Sequence, residues 1–130
     1  MASFLEPLLR AGAAPHQLVN ARSGLVVATH LLPALDSATR KTGLLKHTSL
    51  PAGTAMIIAP TNAIHTFFMK FPIDVVFVSR SGKVLKIRPA MPAWRMAGAL
   101  RGFAVVELAA GVLAPSETRV GDTLVLRPTE

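Results

Sequence analysis

Apolar and β-branched residues fall into short runs along most of the chain, and turn formers punctuate them. Residues 54–59, 64–69, 73–79 and 83–88 read as four successive strands, rich in Val, Ile, Phe and Thr. Arg80-Ser81-Gly82 supplies a tight hairpin turn between the last two. Val75, Val76, Phe77 and Val78 are apolar on both faces, so their strand is expected at the centre of a sheet covered on two sides. The 83–88 strand alternates instead, with Leu85 and Ile87 directed inward and Lys86 and Arg88 outward. Pro89 is expected to end that ladder, because proline cannot donate to it, and to open a loop of about a dozen residues that carries the single Trp, Trp94. Strands resume at 103–108 and, after the Ala109-Ala110-Gly111 turn, a crossing segment and Gly121-Asp122, at 123–127.

Upstream of residue 54 the pattern is weaker. Residues 17–20 and 24–30 suggest a first hairpin around Arg22-Ser23-Gly24. The period then changes. Asp36 is a helix N-cap type and Gly43 a helix terminator, so residues 36–43 read as one short helix of about two turns. Leu44 and Leu45 would dock its end on the core, and 46–53 would follow as a loop. Residues 1–15 read as a loosely docked N-terminal arm with one helical turn before Ala13, and 16–130 as a single β-rich domain. The expected class is mainly β, a single compact β-sandwich or partly closed barrel with one short helix near residues 36–43.

Composition narrows the chemistry. With 51% hydrophobic and 16% charged residues in 130, the chain is a packed domain and not a disordered one. The absence of Cys excludes disulfides, thiolate metal sites, Cys nucleophiles and lipid attachment through Cys. No apolar run reaches the ~20 residues of a membrane span. The first ten residues lack the basic start of a signal peptide, and Glu6 and Pro7 interrupt them, so a cytoplasmic location is expected. The formal charge is +7, and no carboxylate lies between Asp74 and Glu107, whereas Arg80, Lys83, Lys86, Arg88, Arg95 and Arg101 all do. Such a one-sign stretch attracts nucleic acid, anionic lipid or acidic partners, and the expected partner is a small molecule or protein that can be anionic. Nucleic acid is disfavoured, because aromatics make up only 5% of the chain and Tyr is missing, so stacking platforms are few.

Polar groups inserted in the apolar runs are the candidates for function. His65 shares a strand face with Phe67, Met69 and Phe71, where an imidazole is either a satisfied core group or a pocket ligand or base. Thr66 and Lys70 point the other way, the lysine as a snorkelling rim residue. Asp74 opens a strand, where its carboxylate can accept backbone N–H groups or pair with Arg40, and Glu107 sits near a strand end where it could close a buried ion pair. The two acids could serve as an acid–base pair only if they shared a cavity wall. His16, His30, His47 and His65 show no metal-ligand spacing, and neither a phosphate loop nor a nucleophile elbow occurs, so no metal or cofactor is expected.

Several motifs occur in a fixed order: Thr39-Arg40-x-x-Gly43-Leu44-Leu45, Ala55-Met56-Ile57-Ile58, the block from Ile64 through His65-Thr66, Met69 and Phe71-Pro72-Ile73-Asp74 to Phe77, Gly82-Lys83-Val84, Val106-Glu107-Leu108 with Ala110-Gly111, and Gly121-Asp122. Together they resemble the domain of unknown function 192 family over roughly residues 24–127. The resemblance implies a compact β domain with one short helix and no established enzyme activity. It also implies members that are often exported. Thr39 stands where the family usually has an acid, and His47 where a base is usual shortly after Gly-Leu.

Three functions follow as expectations. The first is a non-catalytic module that binds a small molecule or protein in a cleft formed by His65, Thr66, Met69 and Lys70, with Trp94 and Arg95 as a mobile flap and Asp74, Arg40 and Glu107 nearby. The second is a hydrolase or isomerase using His65 with Asp74 or Glu107. The third is a basic adaptor for nucleic acid or an acidic protein.

Overall fold

A computed structural model describes residues 2–10 and 14–129. Ten strands and one α-helix follow one another as β1 (His16–Asn20), β2 (Val26–Ala28), β3 (His30–Ala34), α1 (Ser37–Thr42), β4 (Thr54–Ile58), β5 (Ala63–His65), β6 (Ile73–Val78), β7 (Val84–Met91), β8 (Met96–Gly98), β9 (Ala104–Ala109) and β10 (Leu124–Pro128). They make a five-stranded sheet in the order β3-β4-β9-β6-β7, a three-stranded sheet β10-β1-β2, and a two-stranded sheet β5-β8. Among the described residues, only β3 and β4 pair in parallel, joined through α1. None of these sheets closes into a barrel; the fold is compact and mainly β, as expected.

The five-stranded sheet is the centre of the molecule, and each of its faces has its own core. On one face Ile57, Val76, Val78, Val106 and Leu108 pack against Leu18, Val27 and Leu124 of the three-stranded sheet. On the other, Met56, Ile58, Ile73, Val75, Phe77 and Val105 pack under Leu44 and Leu50, with Ile64, Met69 and Phe71 closing over them. Strand β6 is buried at every residue, as its doubly apolar sequence requires. Helix α1 is capped as its sequence reads: the Asp36 side chain accepts from the Thr39 amide, and the Gly43 N–H returns to the Thr39 carbonyl.

Four local expectations change. The 24–30 run is two strands, because the chain leaves the small sheet at Thr29 and joins the large one as β3. That strand tolerates Pro33 because it lies on the sheet edge. The 64–69 strand stops at His65, where β8 ceases to pair with it. Thr66 then starts a turn closed by the Met69 amide on the Thr66 carbonyl, and Phe68 sits at φ 65. Strand β7 continues through Pro89 to Met91 by means of a bulge at Ala90, φ 46, opposite Asp74. Finally, the long Trp-bearing loop contains β8.

In the segment expected as an arm, a 3-10 turn spans Glu6–Leu9, Leu5 is buried, and the Phe4 amide donates to the Arg80 carbonyl. Residues 11–13 lie outside the described residues.

Candidate functional site

One pocket, of about 150 Å3, opens over the second core face, between the end of α1 and the β5 strand. Its geometry follows from the sheet. Residues of β9 alternate between the two faces, so Val105 and Glu107 share the face under α1 while Val106 and Leu108 join the opposite core. Glu107 is therefore carried into an apolar layer, level with Met56 on β4 and Val75 on β6. Ile58, Leu44, Ile64 and Met69 supply apolar walls, and Arg40, Lys41 and His65 stand among the polar lining.

Glu107 is the unusual group. It is 5% exposed, and what exposure it keeps belongs to the pocket it lines. No protein group bonds its carboxyl group among the described residues, and the carboxyl oxygens keep a small contact with solvent through the pocket. Burial pushes its pKa from the ordinary 4.5 up to about 7. At neutral pH this group exchanges between a neutral donor and an anionic acceptor with little free-energy cost.

The other residues singled out by the sequence divide into two groups, with Asp74 apart from both. Arg40, His65 and Met69 line the Glu107 pocket. The Arg40 guanidinium donates to the Leu35 carbonyl, while His65 is exposed and its Nδ1 accepts from the Phe67 amide. Lys70 stays outside the lining but reaches it, its ammonium donating to the carbonyl of Leu45 on the pocket wall.

Thr66, Trp94 and Arg95 form a second group that joins β5 to β8. Thr66 is buried; its hydroxyl donates to the Pro92 carbonyl at 2.6 Å and accepts from the Arg95 amide at 3.0 Å. Its main chain receives the Trp94 N–H and donates to the Arg95 carbonyl. Asp74 stands in neither group. Its carboxylate accepts the amides of Ala90, Gly111 and Leu113 at 2.8, 3.0 and 3.1 Å, which ties the β7 bulge to the turn after β9.

Among the described residues, no three His, Asp or Glu side chains gather to hold a metal ion. No helix among them is long and apolar enough to cross a membrane. Sequence reasoning missed the pocket walls Ile58, Ile64 and Lys41, whose side chains look like ordinary core or surface. The Gly43-Leu44-Leu45 helix exit was the one local signal for the wall that α1 contributes.

The family DUF192, described as Uncharacterized ACR, matches residues 19–126. A protein of unknown function from Novosphingobium aromaticivorans shares the fold at TM-score 0.72 and 22% identity, over 88% of this chain and 87% of that one. A second, from Sinorhizobium meliloti and described provisionally as a transcription regulator, superposes at TM-score 0.72 and 20% identity, over 85% and 91% of the two chains. At these identities the likeness concerns the fold. No curated protein matches.

Proposed function

The chain belongs to the DUF192 family, an uncharacterised one, and from that premise we propose that it is a small-molecule-binding module whose ligand enters the α1–β5 pocket and meets Glu107. The observation that carries this reading is the carboxyl group itself: it is set in an apolar layer, bonded to no protein group among the described residues, and open only slightly, to the pocket it lines. Burying a carboxyl in an apolar layer destabilises a fold, and folding alone gives no return for leaving it unpaired. A ligand bearing an ammonium or N–H group would supply the missing bond. A cavity near 150 Å3 holds a molecule about the size of benzene. The apolar body of the ligand would lie against Ile58, Leu44 and Met69, with any acidic group turned toward Arg40, Lys41 and Lys70.

A thermal-shift series with small amines, amides and amino acids tests this on the wild type, Glu107→Gln and His65→Ala. Compounds that raise the wild-type midpoint should lose most of that shift in Glu107→Gln. Amines should bind more tightly as pH rises through 7, because the carboxylate form is the partner of a cation. Equal shifts in wild type and Glu107→Gln would sink the reading.

A second reading keeps some support, since His65 and Glu107 line the same pocket. A base and an acid facing one small cavity are the minimum for proton transfer. Product formation from any compound that passes the binding screen, lost in both His65→Ala and Glu107→Gln, would establish it.

A further inference from the structure

The β5–β8 pair and its turns expose apolar side chains that the pocket does not use. Phe68 is 69% exposed, Trp94 57%, Met96 70% and Leu100 93%. The Phe68 and Trp94 rings meet edge-on at 4.6 Å, and both residues have φ 65, the left-handed region that side chains avoid. The ring contacts offset only part of the cost of apolar area held in water on a strained backbone. Such outliers point to a use outside the fold.

The charge around them has one sign. Residues 63–101 contain a single carboxylate, Asp74, and it is buried. Arg95 follows Trp94, with its guanidinium on the Ala93 and Trp94 carbonyls, and exposed Arg101 follows Leu100. The Lys86 ammonium donates to the Gly98 carbonyl, which brings a base of β7 against β8.

We propose that this unit is a docking tip for an anionic bilayer surface, with Phe68, Trp94, Met96 and Leu100 entering the headgroup boundary and Arg95, Arg101 and Lys86 facing lipid phosphates. Apolar projection together with one-sign charge chooses the occupant. Leu100, 93% exposed, lines no groove that could receive a partner's side chain. With no exposed carboxylate among residues 63–101, the projecting apolar groups and their basic neighbours complement an anionic lipid surface. Trp sits at the headgroup level because its ring is apolar at one end and polar at the other, and nearby cations gain from anionic lipid. A nucleic-acid platform fits less well. Trp94 is already stacked on Phe67 at 5.8 Å and met edge-on by Phe68, so no slot for a base is left between the rings.

Trp94 is the only Trp, so its fluorescence reports this tip alone. The full chain is titrated with vesicles of phosphatidylcholine, with and without phosphatidylglycerol. Mixed vesicles should shift Trp94 emission to the blue, brominated lipid should quench it, and added salt should weaken both effects. Met96→Asp with Leu100→Ser should cut partitioning about tenfold or more, as should Arg95→Gln with Arg101→Gln on anionic vesicles. These positions are exposed, so unchanged unfolding midpoints confirm that the variants stay folded.

Unshifted Trp94 emission on anionic vesicles at low salt would overturn the proposal. So would vesicle binding that the Met96/Leu100 pair leaves intact, which would mean adsorption through another surface. A larger Trp94 shift with polyglutamate or duplex DNA than with vesicles would overturn it in favour of a macromolecular partner.

Discussion

Asp74 and Glu107 lie on neighbouring strands of one sheet, yet their surroundings give them opposite physical situations. Asp74 accepts three backbone amides, one from the β7 bulge and two from the turn after β9. Removing that acceptor strands buried or half-buried donors, and each costs about 1–3 kcal/mol. Asp74→Ala should therefore lower unfolding free energy by at least about 3 kcal/mol in chemical denaturation, with Asp74→Asn intermediate because it keeps one carbonyl oxygen. Glu107 has no such donors and is simply desolvated. A carboxyl in that state favours its proton, and Glu107→Gln should retain the pocket shape while abolishing titration there.

At the scale of elements, the two-stranded β5–β8 sheet is too short to persist alone and depends on Thr66. The hydroxyl bridges Pro92 and Arg95, and the backbone of the same residue holds Trp94. Thr66→Val keeps the shape but leaves the Pro92 carbonyl and Arg95 amide without that partner. The expected cost is about 1–3 kcal/mol. Amide hydrogen exchange should accelerate at Trp94 and Arg95 while β6 and β9 stay protected, because the lost bonds lie in the β5–β8 pair. Uniform acceleration would show instead that Thr66 supports the whole core.

For the whole molecule, two buried-edge acids set the pH profile. Glu107 carries a pKa raised from 4.5 to about 7, so between those values the unfolded chain releases a proton that the folded chain holds. Stability falls as pH rises across that window, by on the order of 3 kcal/mol in all, and is level above it. Asp122 behaves in the reverse sense. The hydrogen bond from Arg22, at 2.7 Å, holds its pKa well below the ordinary 3.8, helped by Asn20. Its contribution is present above the ordinary value and is lost as pH falls below it. Denaturation midpoints across pH should thus peak in the mildly acidic range, near 4 to 5, and decline toward neutrality. In Glu107→Gln the decline between about 4.5 and 7 should flatten, while the loss in acid stays.

Much of the architecture is written in local pattern. Period-two runs, the Asp36 cap, the Gly43 stop and the Arg80-Ser81-Gly82 turn act over a few residues, and β4, α1, β6, β9 and β10 follow from them closely. Doubly apolar β6 also announced its interior place. Partnership was not legible in the same way. Residues 64–69 have a strand's composition but lose their partner at His65, and 89–91 lack one yet stay in the ladder because Asp74 satisfies the Ala90 amide. Likewise Arg40, His65, Met69 and Glu107 were candidates on residue type alone. Alternation gave each a face, but only the packing of α1 and β5 over β9 brought the four around one cavity. Residue type and spacing determine which side chains share a face. Which faces meet, and which polar groups they leave unpaired, depends on contacts between residues tens of positions apart, and the tertiary structure alone decides that.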